Sequence, residues 1–485
     1  MKLGSDDRRS VPSPNTPGRN TELVIITYVF TALFILLAVY MIWFQIFRRP
    51  EVKKNAFNTR GEIDSERVIR GAIKAADGSN LAYTDVDYTG NEVRVYPYGR
   101  IFAHAVGYET NGRSGLESSL NNILMDSHSS LLDQIQNAQD NKKVAGDNVI
   151  VTLDPRLQQA AYYALGDHNG AVVVVEPDTG KILAMVSKPD FDPNTIAWDW
   201  DQITGDENNS NLLNRASQGL YPPGSTFKII TTLAYMRQNP GTYNNFTYNC
   251  EGSFFEDDVN ITCYNDHVHG LEDLATSFAN SCNTAYANIG LSLDNGEFRK
   301  MTEEFFFNRQ LPGEIPHYSS EFKLDRKSSK AEMMTTAIGQ GDTLVTPLHM
   351  AMITAAIANG GIMMKPMLVQ SVETSDGEIA EERTPSISTQ LMTVDEAQVL
   401  SSMMRKVVTE GTATDLSWNS YTVAGKTGSA EYESEQSAGT HSWFVGYSNV
   451  EDPDIAVAII AEDSGTGSET AVPIAQQIFD AYYYS

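Results

Sequence analysis

The sequence is poor in basic residues, in cysteine and in long apolar runs. Its 485 residues include 35 Lys and Arg against 62 Asp and Glu, and 35 − 62 gives a net charge of −27 at pH 7. A protein that binds DNA or RNA needs local positive charge, so nucleic acid is not an expected partner. There is no internal repeat and no long low-complexity tract. With 41% hydrophobic and 20% charged residues, the chain is typical of a globular protein with a sizeable core.

One apolar run breaks this globular pattern. Residues 23–47 (LVIITYVFTALFILLAVYMIWFQIF) carry no formal charge. As a helix this run would be about 37 Å long, which exceeds the ~30 Å hydrocarbon core of a bilayer. No small-residue cleavage site follows it, so we expect an uncleaved signal anchor that crosses the membrane once. Basic residues flank both ends of the run, so the positive-inside rule does not decide its orientation.

The rest of the chain divides into a tail, a spacer domain and a main domain. Residues 1–22 are polar and rich in Pro, Ser and Asn, which predicts a short disordered tail. Residues 51–145 predict a small mixed domain, with a strand at Glu92–Tyr96 and one polar helix from Ser118 to Gln139. Residues 146–485 form the predicted main domain.

The pattern of the main domain predicts an α+β fold. Its Asp154-Pro155 pair predicts the start of a helix, and residues 471–484 predict a closing helix. Strands are predicted at 149–153, 171–175, 181–187 and 455–460. Strands at both ends with helices between them favour one antiparallel sheet with a helical subdomain beside it.

Ser225 and Lys228 are the first candidate catalytic residues. They lie three residues apart after a Pro-Pro-Gly turn, in YPPGSTFK, so a helix would place them on one face. A serine hydroxyl is a poor nucleophile until a base takes its proton, and a buried lysine with a lowered pKa can act as that base. Because Ser-x-x-Lys often occurs by chance on solvated surfaces, the assignment depends on partner motifs.

Two partner motifs follow in the required order. The first is Ser281-Cys282-Asn283 and the second is Lys426-Thr427-Gly428-Ser429. Ser281 is predicted to relay a proton between Lys228 and the leaving amine, and Asn283 to hold a substrate amide. Lys426 is predicted to supply positive charge, and residues 426–429 to offer a strand edge to an extended peptide.

The three ordered motifs resemble those of the class B penicillin-binding proteins. The likeness extends through Arg70-Gly71-Ala72-Ile73 and Ile338-Gly339-Gln340-Gly341-Asp342 to the whole chain from the anchor onwards. It implies a short Gram-positive-type form, with a pedestal at 51–145 and a transpeptidase domain at 146–485 of the penicillin-binding and serine β-lactamase fold. No glycosyltransferase domain precedes the pedestal, which distinguishes class B from the bifunctional class A proteins.

The resemblance implies a serine-type D,D-transpeptidase that acts on peptidoglycan. Its nucleophile would attack the penultimate D-alanine of a stem peptide, release the terminal D-alanine and pass the acyl group to the amine of a neighbouring stem peptide. β-Lactams would acylate the same serine. The family's catalytic residues map onto Ser225, Lys228, Ser281, Asn283 and Lys426, and its substrate-binding residues onto Thr427, Gly428 and Ser429. The N–H groups of Ser225 and Ser429 would form the oxyanion hole. Ser429 stands where the family more often has threonine, and it keeps the hydroxyl.

The same resemblance implies location and partners. The protein would sit in the plasma membrane with a cytoplasmic N-terminus and an extracellular catalytic domain, and it would serve cell-wall synthesis, with elongation, division and sporulation all open as its role. A polytopic glycan polymerase of the SEDS type is the expected protein partner. The chemistry requires no cofactor.

The three cysteines fall in one window together with two histidines, His267 and His269. A Cys3His set suits a tetrahedral Zn²⁺ with no open position, which is a structural site. The predicted ligands are Cys250, Cys263, His269 and Cys282. We expect zinc because some class B enzymes carry a similar site. The alternatives are a Cys250–Cys263 disulfide, with the third cysteine unpaired, or buried free thiols.

Other functions share these motifs. A class A β-lactamase adds a glutamate in a Glu-x-x-x-Asn pattern, which Glu304 to Asn308 (EFFFN) matches formally. We interpret this match as coincidence, because three phenylalanines at the end of an amphipathic helix are better explained by core packing. A β-lactam sensor, a membrane scaffold with a secondary site, and a D,D-carboxypeptidase that uses water as the acceptor stay open.

Overall fold

The computed structural model describes residues 21–44, 68–128, 139–140, 142–206, 209–433 and 438–484. The chain divides into two units, residues 1–61 and 62–485. The described part of the first unit is the helix Thr21–Trp43, whose Val24–Trp43 segment has a mean hydropathy of 2.5 and is long enough to cross a membrane. It agrees with the predicted anchor but begins two residues earlier. The last three residues of the predicted span lie outside the described residues.

The second unit contains all the described strands. They are β1 (Val68–Ile69), β2 (Ile73–Lys74), β3 (Asn80–Val86), β4 (Glu92–Val95), β5 (Val144–Ala145), β6 (Asn148–Val151), β7 (Gly170–Val175), β8 (Ile182–Lys188), β9 (Thr247–Cys250), β10 (Ser253–Glu256), β11 (Val259–Thr262), β12 (Gly270–Asp273), β13 (Ile362–Met364), β14 (Val369–Glu373), β15 (Ile379–Glu382), β16 (Ile387–Gln390), β17 (Val423–Glu433), β18 (Ala438–Ser448) and β19 (Ala456–Ala461). Its α-helices are Ala103–Val106, Gly115–Ser119, Asn121–Leu124, Pro155–Ala164, Ile196–Gly205, Arg215–Gln218, Lys228–Gln238, Leu274–Ala279, Asn283–Ser292, Asn295–Glu304, Lys330–Ala337, Pro347–Ala358, Val394–Thr409 and Val472–Tyr484.

The main sheet has five antiparallel strands in the order β17-β18-β19-β7-β8. Every residue of β7 and β19 is buried, and these strands are continuous apolar runs, because helices cover both faces of the sheet. The apolar helix Pro347–Ala358 packs against β7, β18 and β19 and forms the centre of the core. This architecture confirms the predicted α+β transpeptidase fold, and it leaves β17 at an edge of the sheet.

A second, six-stranded sheet has the order β15-β14-β6-β2-β3-β4. It joins the pedestal strands β2, β3 and β4 to β14, which lies almost 300 residues further along the chain. The pedestal also buries an ionic group, in which Glu117 contacts Arg70 at 2.7 Å and Arg94 at 2.8 Å. Both sheets lie within one compact unit, residues 62–485.

The predicted polar helix at 118–139 is interrupted at residues 120 and 125–128, whereas Gln139 is helical. The chain instead forms two short helices that end at Leu124, and residues 125–128 are not helical. Residues 129–138 lie outside the described residues. Asp126 and Asp147 hold this non-helical stretch through hydrogen bonds to its backbone N–H groups, because acidic and amide side chains compete with helical hydrogen bonding.

Candidate active site

Ser225 lies in a tight turn at the start of a buried helix. The turn is a 3₁₀ helix, Gly224–Phe227, and the helix Lys228–Gln238 continues directly from it. Gly224 has a φ of 53°, and a Cβ there would lie 2.8 Å from the Ser429 carbonyl oxygen. The turn is therefore seated against β17 at Ser429, which places Gly224, the residue before Ser225, beside the predicted strand edge at 426–429.

The segment Ile338–Asp342 holds the turn from a second side. The Gly224 N–H donates to the Gly339 carbonyl at 2.9 Å. Gly339 has a φ of 81°, and a Cβ there would lie only 1.9 Å from the Gly224 carbonyl oxygen. Glycine is required at 339 both by its left-handed backbone and by this close approach. The Ile338-Gly339-Gln340-Gly341-Asp342 motif thus supports the nucleophile turn.

Lys228 is fully buried and its Nζ contacts three acceptors. Nζ lies 2.7 Å from the Ser281 carbonyl oxygen, 2.7 Å from Asn283 Oδ1 and 3.3 Å from Ser281 Oγ. Burial lowers the pKa of Lys228 from 10.5 to about 8. The Tyr286 ring lies 5.2 Å from Nζ and compensates part of this desolvation. A lysine with three acceptors and a pKa of about 8 can hold a proton at neutral pH and give it up readily.

Lys426 approaches the same serine from β17. Its Nζ lies 2.9 Å from Ser281 Oγ and 3.1 Å from the Thr427 carbonyl oxygen. Burial, and secondly the charge of Lys228, lower the pKa of Lys426 well below 10.5. Two ammonium groups that share one hydroxyl repel each other in a buried site. The pair of lysines therefore favours one positive charge over two. Ser281 Oγ joins the two amines.

Ser281 occupies a strained turn between two helices. Its φ is 57°, in the left-handed region that a residue with a side chain seldom adopts. The turn is fixed on both sides, since the Asn280 amide donates to Glu272 Oε1 at 2.8 Å and the Cys282 N–H donates to the Ser277 carbonyl at 2.9 Å. This conformation directs both the hydroxyl and the carbonyl of Ser281 at Lys228.

Asn283 begins the next helix and has both ends of its side chain engaged. Oδ1 accepts from Lys228, and Nδ2 donates to the Thr262 carbonyl at 2.9 Å. A carboxamide nitrogen has two hydrogens, so one remains for a substrate carbonyl. The structure thus brings four of the five predicted catalytic residues into direct contact.

The fifth residue, Ser225, is half-buried. Within the described part of the chain, its Oγ makes no side-chain hydrogen bond. Catalytic hydrogen bonds are often long or misaligned before substrate binds, so this geometry is compatible with a nucleophile. Its position three residues before Lys228 in a continuous helical segment keeps both side chains on one face.

Thr412 is a site residue that the sequence did not reveal. Its Oγ1 lies 2.5 Å from Thr427 Oγ1, so two hydroxyls stand where the sequence predicted one. A lone threonine in a loop fourteen residues before the Lys-Thr-Gly motif carries no sequence signal. Ser429, the third predicted substrate-binding residue, accepts a hydrogen bond from the Gly467 N–H through its Oγ at 3.3 Å. Gly428 faces Thr226 and Trp443 so closely that a Cβ would lie 3.0 Å from each.

The predicted zinc ligands form one compact cluster. The ligand atoms of Cys250, Cys263, His269 and Cys282 all lie within 4.8 Å of one another. They come from the end of β9, the end of the β10–β11 hairpin, the start of β12 and the turn after Ser281. His267, which was not predicted as a ligand, has an exposed side chain.

The cluster consists of three unpaired thiols and one imidazole, and its geometry fits a tetrahedral metal. The Sγ atoms of Cys250 and Cys263 are 3.7 Å apart and all three thiols are free, whereas a disulfide needs about 2.05 Å. The Cys263 and Cys282 sulfurs are 3.8 Å apart, and His269 Nδ1 lies 3.4 Å from Cys250 Sγ. A tetrahedron with Zn–S of about 2.3 Å and Zn–N of about 2.1 Å requires edges of about 3.8 and 3.6 Å. The residues present therefore fit such an ion.

Glu304 does not belong to the Ser225 site. Its side chain is 57% exposed and its carboxylate lies 4.0 Å from Arg237 at the far end of the nucleophile helix, about 13 Å along the axis from Lys228. Phe305 and Phe307 are fully buried in the core. The formal Glu-x-x-x-Asn match is a packing feature, as interpreted from the sequence.

Two protein-family models match this chain. The family described as "Penicillin binding protein transpeptidase domain" matches residues 170–480, and "Penicillin binding protein A dimerisation domain" matches residues 70–149. The chain is similar to the peptidoglycan D,D-transpeptidase PbpA of Mycolicibacterium smegmatis, with 31% identity over 94% of this chain and 97% of that protein. It is also similar to the peptidoglycan D,D-transpeptidase MrdA of Acinetobacter baumannii, with 27% identity over 83% of this chain and 69% of that protein.

Solved structures give the same result. The D,D-transpeptidase domain of a peptidoglycan glycosyltransferase from Eggerthella lenta aligns with a TM-score of 0.77 and 32% identity, over 86% of this chain and 98% of that one. A ceftriaxone acyl-enzyme complex of penicillin-binding protein A from Mycobacterium tuberculosis aligns with a TM-score of 0.79 and 29% identity, over 87% of this chain and 99% of that one. The likeness covers both the pedestal and the domain that contains Ser225.

Proposed function

The chain belongs to the class B penicillin-binding proteins, and on this premise we propose that it cross-links peptidoglycan stem peptides through an acyl-enzyme on Ser225. The relatives named peptidoglycan D,D-transpeptidase and the β-lactam acyl-enzyme structures support this reaction class. The observation that carries the proposal for this chain is the contact of Ser281 Oγ with both Lys228 and Lys426. It connects Lys228, three residues after the nucleophile, to Lys426 on the edge strand β17.

The two lysines and Ser281 form a proton relay. In the resting site Lys228 holds the proton, because its Nζ has three acceptors and Lys426 has the more strongly lowered pKa. The carboxylate of a donor peptide that binds beside Lys426 and Thr427 favours charge on Lys426. Lys228 then gives its proton to Ser281 Oγ, and Ser281 gives its own proton to Lys426. Lys228 is left neutral next to the nucleophile.

Acylation follows from that state. Neutral Lys228 takes the proton of Ser225 as Oγ attacks the penultimate D-alanine carbonyl, and the N–H groups of Ser225 and Ser429 bind the developing oxyanion. When the C–N bond breaks, Lys228 returns this proton through Ser281 to the leaving amine of D-alanine. An amine of a second stem peptide then attacks the ester by the reverse route, and its proton passes to Ser225. Asn283, Thr427 and Gly428 complete the proposed binding site.

The direct test is intact-mass analysis of the full chain in detergent after incubation with benzylpenicillin. We expect a stable adduct on the native chain and none on Ser225→Ala. Absence of an adduct on folded native protein would favour the scaffold alternative. Rapid loss of the adduct would favour a β-lactamase, and release of D-alanine with water as the acceptor would identify a carboxypeptidase.

We also propose that the cysteine cluster binds one structural Zn²⁺ through Cys250, Cys263, His269 and Cys282. The inter-ligand distances and the four-ligand set without an open position support a closed structural site. Thr284 Oγ1 lies 3.2 Å from Cys250 Sγ and 3.3 Å from Cys282 Sγ, so a hydroxyl supports the ligands from outside the shell.

The two neighbouring histidines provide a matched test of the zinc proposal. Elemental analysis of full chain purified without chelators should give one zinc per chain for the native protein and for His267→Ala. His269→Ala should lose most of it. A native protein without zinc, with Cys250 and Cys263 oxidised to a disulfide, would contradict the proposal.

The membrane arrangement completes the proposed function. We propose a plasma-membrane protein with a cytoplasmic tail at 1–22, an anchor at 23–47, a pedestal at 51–145 and an extracellular transpeptidase domain at 146–485. The apolar helix and the extracellular place of the substrate support it. Digestion of the catalytic domain by protease added to intact spheroplasts is the expected result, and full protection would reverse the orientation. A SEDS-type polymerase is the proposed partner, to be tested by co-purification from membranes that contain both proteins.

A further inference from the structure

The free edge of β17 is partly covered by side chains of this chain. β17 pairs only with β18 in the five-stranded sheet, so alternate residues along it turn their N–H and C=O groups outward. Arg405 donates to the Val423 carbonyl at 2.8 Å and Lys426 Nζ to the Thr427 carbonyl at 3.1 Å. These contacts identify residues 423, 427 and, by alternation, 429 and 431 as the outward-facing positions.

Gln340 covers the edge at Glu431. The orientation of the Gln340 carboxamide is assigned from its two contacts with Glu431. In this orientation its nitrogen donates to the Glu431 carbonyl at 2.9 Å and its oxygen accepts from the Glu431 N–H at 3.1 Å. This is the pair of bonds that a residue of a neighbouring antiparallel strand would make. The side chain therefore replaces one residue of an added strand.

Ser429 lies between the covered positions and has free main-chain groups. In the part of the chain that the structure describes, neither its N–H nor its C=O makes a hydrogen bond outside the β17–β18 ladder. Gly339, the residue before Gln340, holds the nucleophile turn through the Gly224 N–H. The covering side chain is thus fixed to the same segment that positions Ser225.

We propose that Gln340 is a specificity-determining residue that limits the pairing of the donor peptide with β17 to one residue, at Ser429. The inference rests on the proposed function. In an antiparallel pair, the acylated D-alanine exchanges hydrogen bonds with Ser429, and the donor residue two positions before it would face Glu431. Gln340 already occupies the partners of that residue. The site therefore recognises the last residues of the donor peptide. The residues before them need not pair with β17.

The test compares two donors that differ in one hydrogen bond. One is acetyl-L-alanyl-L-lysyl-D-alanyl-D-lactate, and the other carries an N-methyl group on the L-alanine, which faces Glu431 and then cannot donate to it. The full chain in detergent is assayed for release of D-lactate from each donor. For the native chain we expect equal kcat/KM values, because that position is already covered. For Gln340→Ala we expect kcat/KM to be about threefold to tenfold higher for the unmethylated donor, because that donor can form one additional hydrogen bond with Glu431.

Gln340→Met is the matched control, because it keeps the length of the side chain and covers the edge without pairing. It should stay insensitive to methylation, as the native chain does. A Gln340→Ala variant that loses or keeps activity equally on both donors overturns the inference, since a merely structural role affects both alike. Failure of the native chain to process either donor or to form a benzylpenicillin adduct would instead contradict the proposed function. Adduct formation on each variant confirms that its site is folded.

Discussion

The proton relay predicts an unusual pH dependence for acylation. In the proposed relay, the proton that Lys228 holds at rest moves to Lys426 and gives it the positive charge that binds the carboxylate of a β-lactam. A site that has lost this proton has no charge for the carboxylate, so it should react slowly with a carboxylated β-lactam. Because burial lowers the pKa of Lys228 to about 8, that proton is lost as pH rises through 8. The protonated fraction is about 0.9 at pH 7 and about 0.09 at pH 9. The second-order rate constant for acylation by benzylpenicillin should therefore fall about tenfold between these values.

The methyl ester of benzylpenicillin is the matched probe. It lacks the carboxylate that favours charge on Lys426, so it cannot draw the proton away from Lys228. Its acylation should be slower at pH 7 and should rise with pH, because only loss of the proton to solvent makes Lys228 a base. Both reactions can be followed by quenching and intact mass, with base hydrolysis of each β-lactam measured in parallel.

Opposite pH trends for the acid and the ester are the required result. A rate constant for benzylpenicillin that rises through pH 8 would refute the relay, because it would mean that the resting enzyme needs an already neutral Lys228. Lys228→Arg should abolish acylation by both compounds, since a guanidinium does not lose its proton in this range. Measurable acylation by that variant would also remove Lys228 from the role of base.

Three further changes test the surroundings of the site. Thr412→Val removes the hydroxyl 2.5 Å from Thr427 and should slow benzylpenicillin acylation about fivefold, measured at pH 7; an unchanged rate would exclude a part in carboxylate binding. Gly339→Ala places a Cβ 1.9 Å from the Gly224 carbonyl and should lower the melting temperature by about 4 °C or more and reduce adduct formation; a variant as stable as the native chain would contradict this account of the turn. Glu304→Gln should leave the lifetime of the benzylpenicillin adduct unchanged within about twofold; a longer lifetime would make Glu304 a hydrolytic base.

The sequence predicts the elements whose signals are local. Asp154 caps the helix Pro155–Ala164, and its carboxylate accepts from the Arg156 and Leu157 N–H groups, as the Asp-Pro pair indicated. The strands β7, β8 and β19 fall within one or two residues of their apolar runs. The fold class is also confirmed, since strands at both ends of the main domain with helices between them indicated one antiparallel sheet beside a helical subdomain.

Contacts between distant segments could not be predicted from such local patterns. No local signal indicates that β14 pairs with β6 and so joins the sheet of the pedestal strands, because pairing partners are chosen by tertiary packing rather than by the strand itself. Gln340 belonged to a motif that the sequence singled out, but a glutamine that hydrogen-bonds an edge strand looks like any polar loop residue. The candidate catalytic residues could be predicted because three motifs in a fixed order imply one geometry, whereas Thr412 belongs to none of these motifs.

The strained Ser281 turn connects the cysteine–histidine cluster to the proposed catalytic residues. A left-handed residue with a side chain costs on the order of 1 kcal/mol, so its surroundings must hold it in place. The Asn280–Glu272 hydrogen bond holds the turn on one side. On the other side Cys282 Sγ lies 3.8 Å from Cys263 Sγ and caps the following helix through the Ala285 N–H. An ion bound by these sulfurs would fix Ser281 Oγ between the two lysines without contacting the substrate. A structural metal in this protein would therefore act on the rate of acylation through the position of a single hydroxyl group.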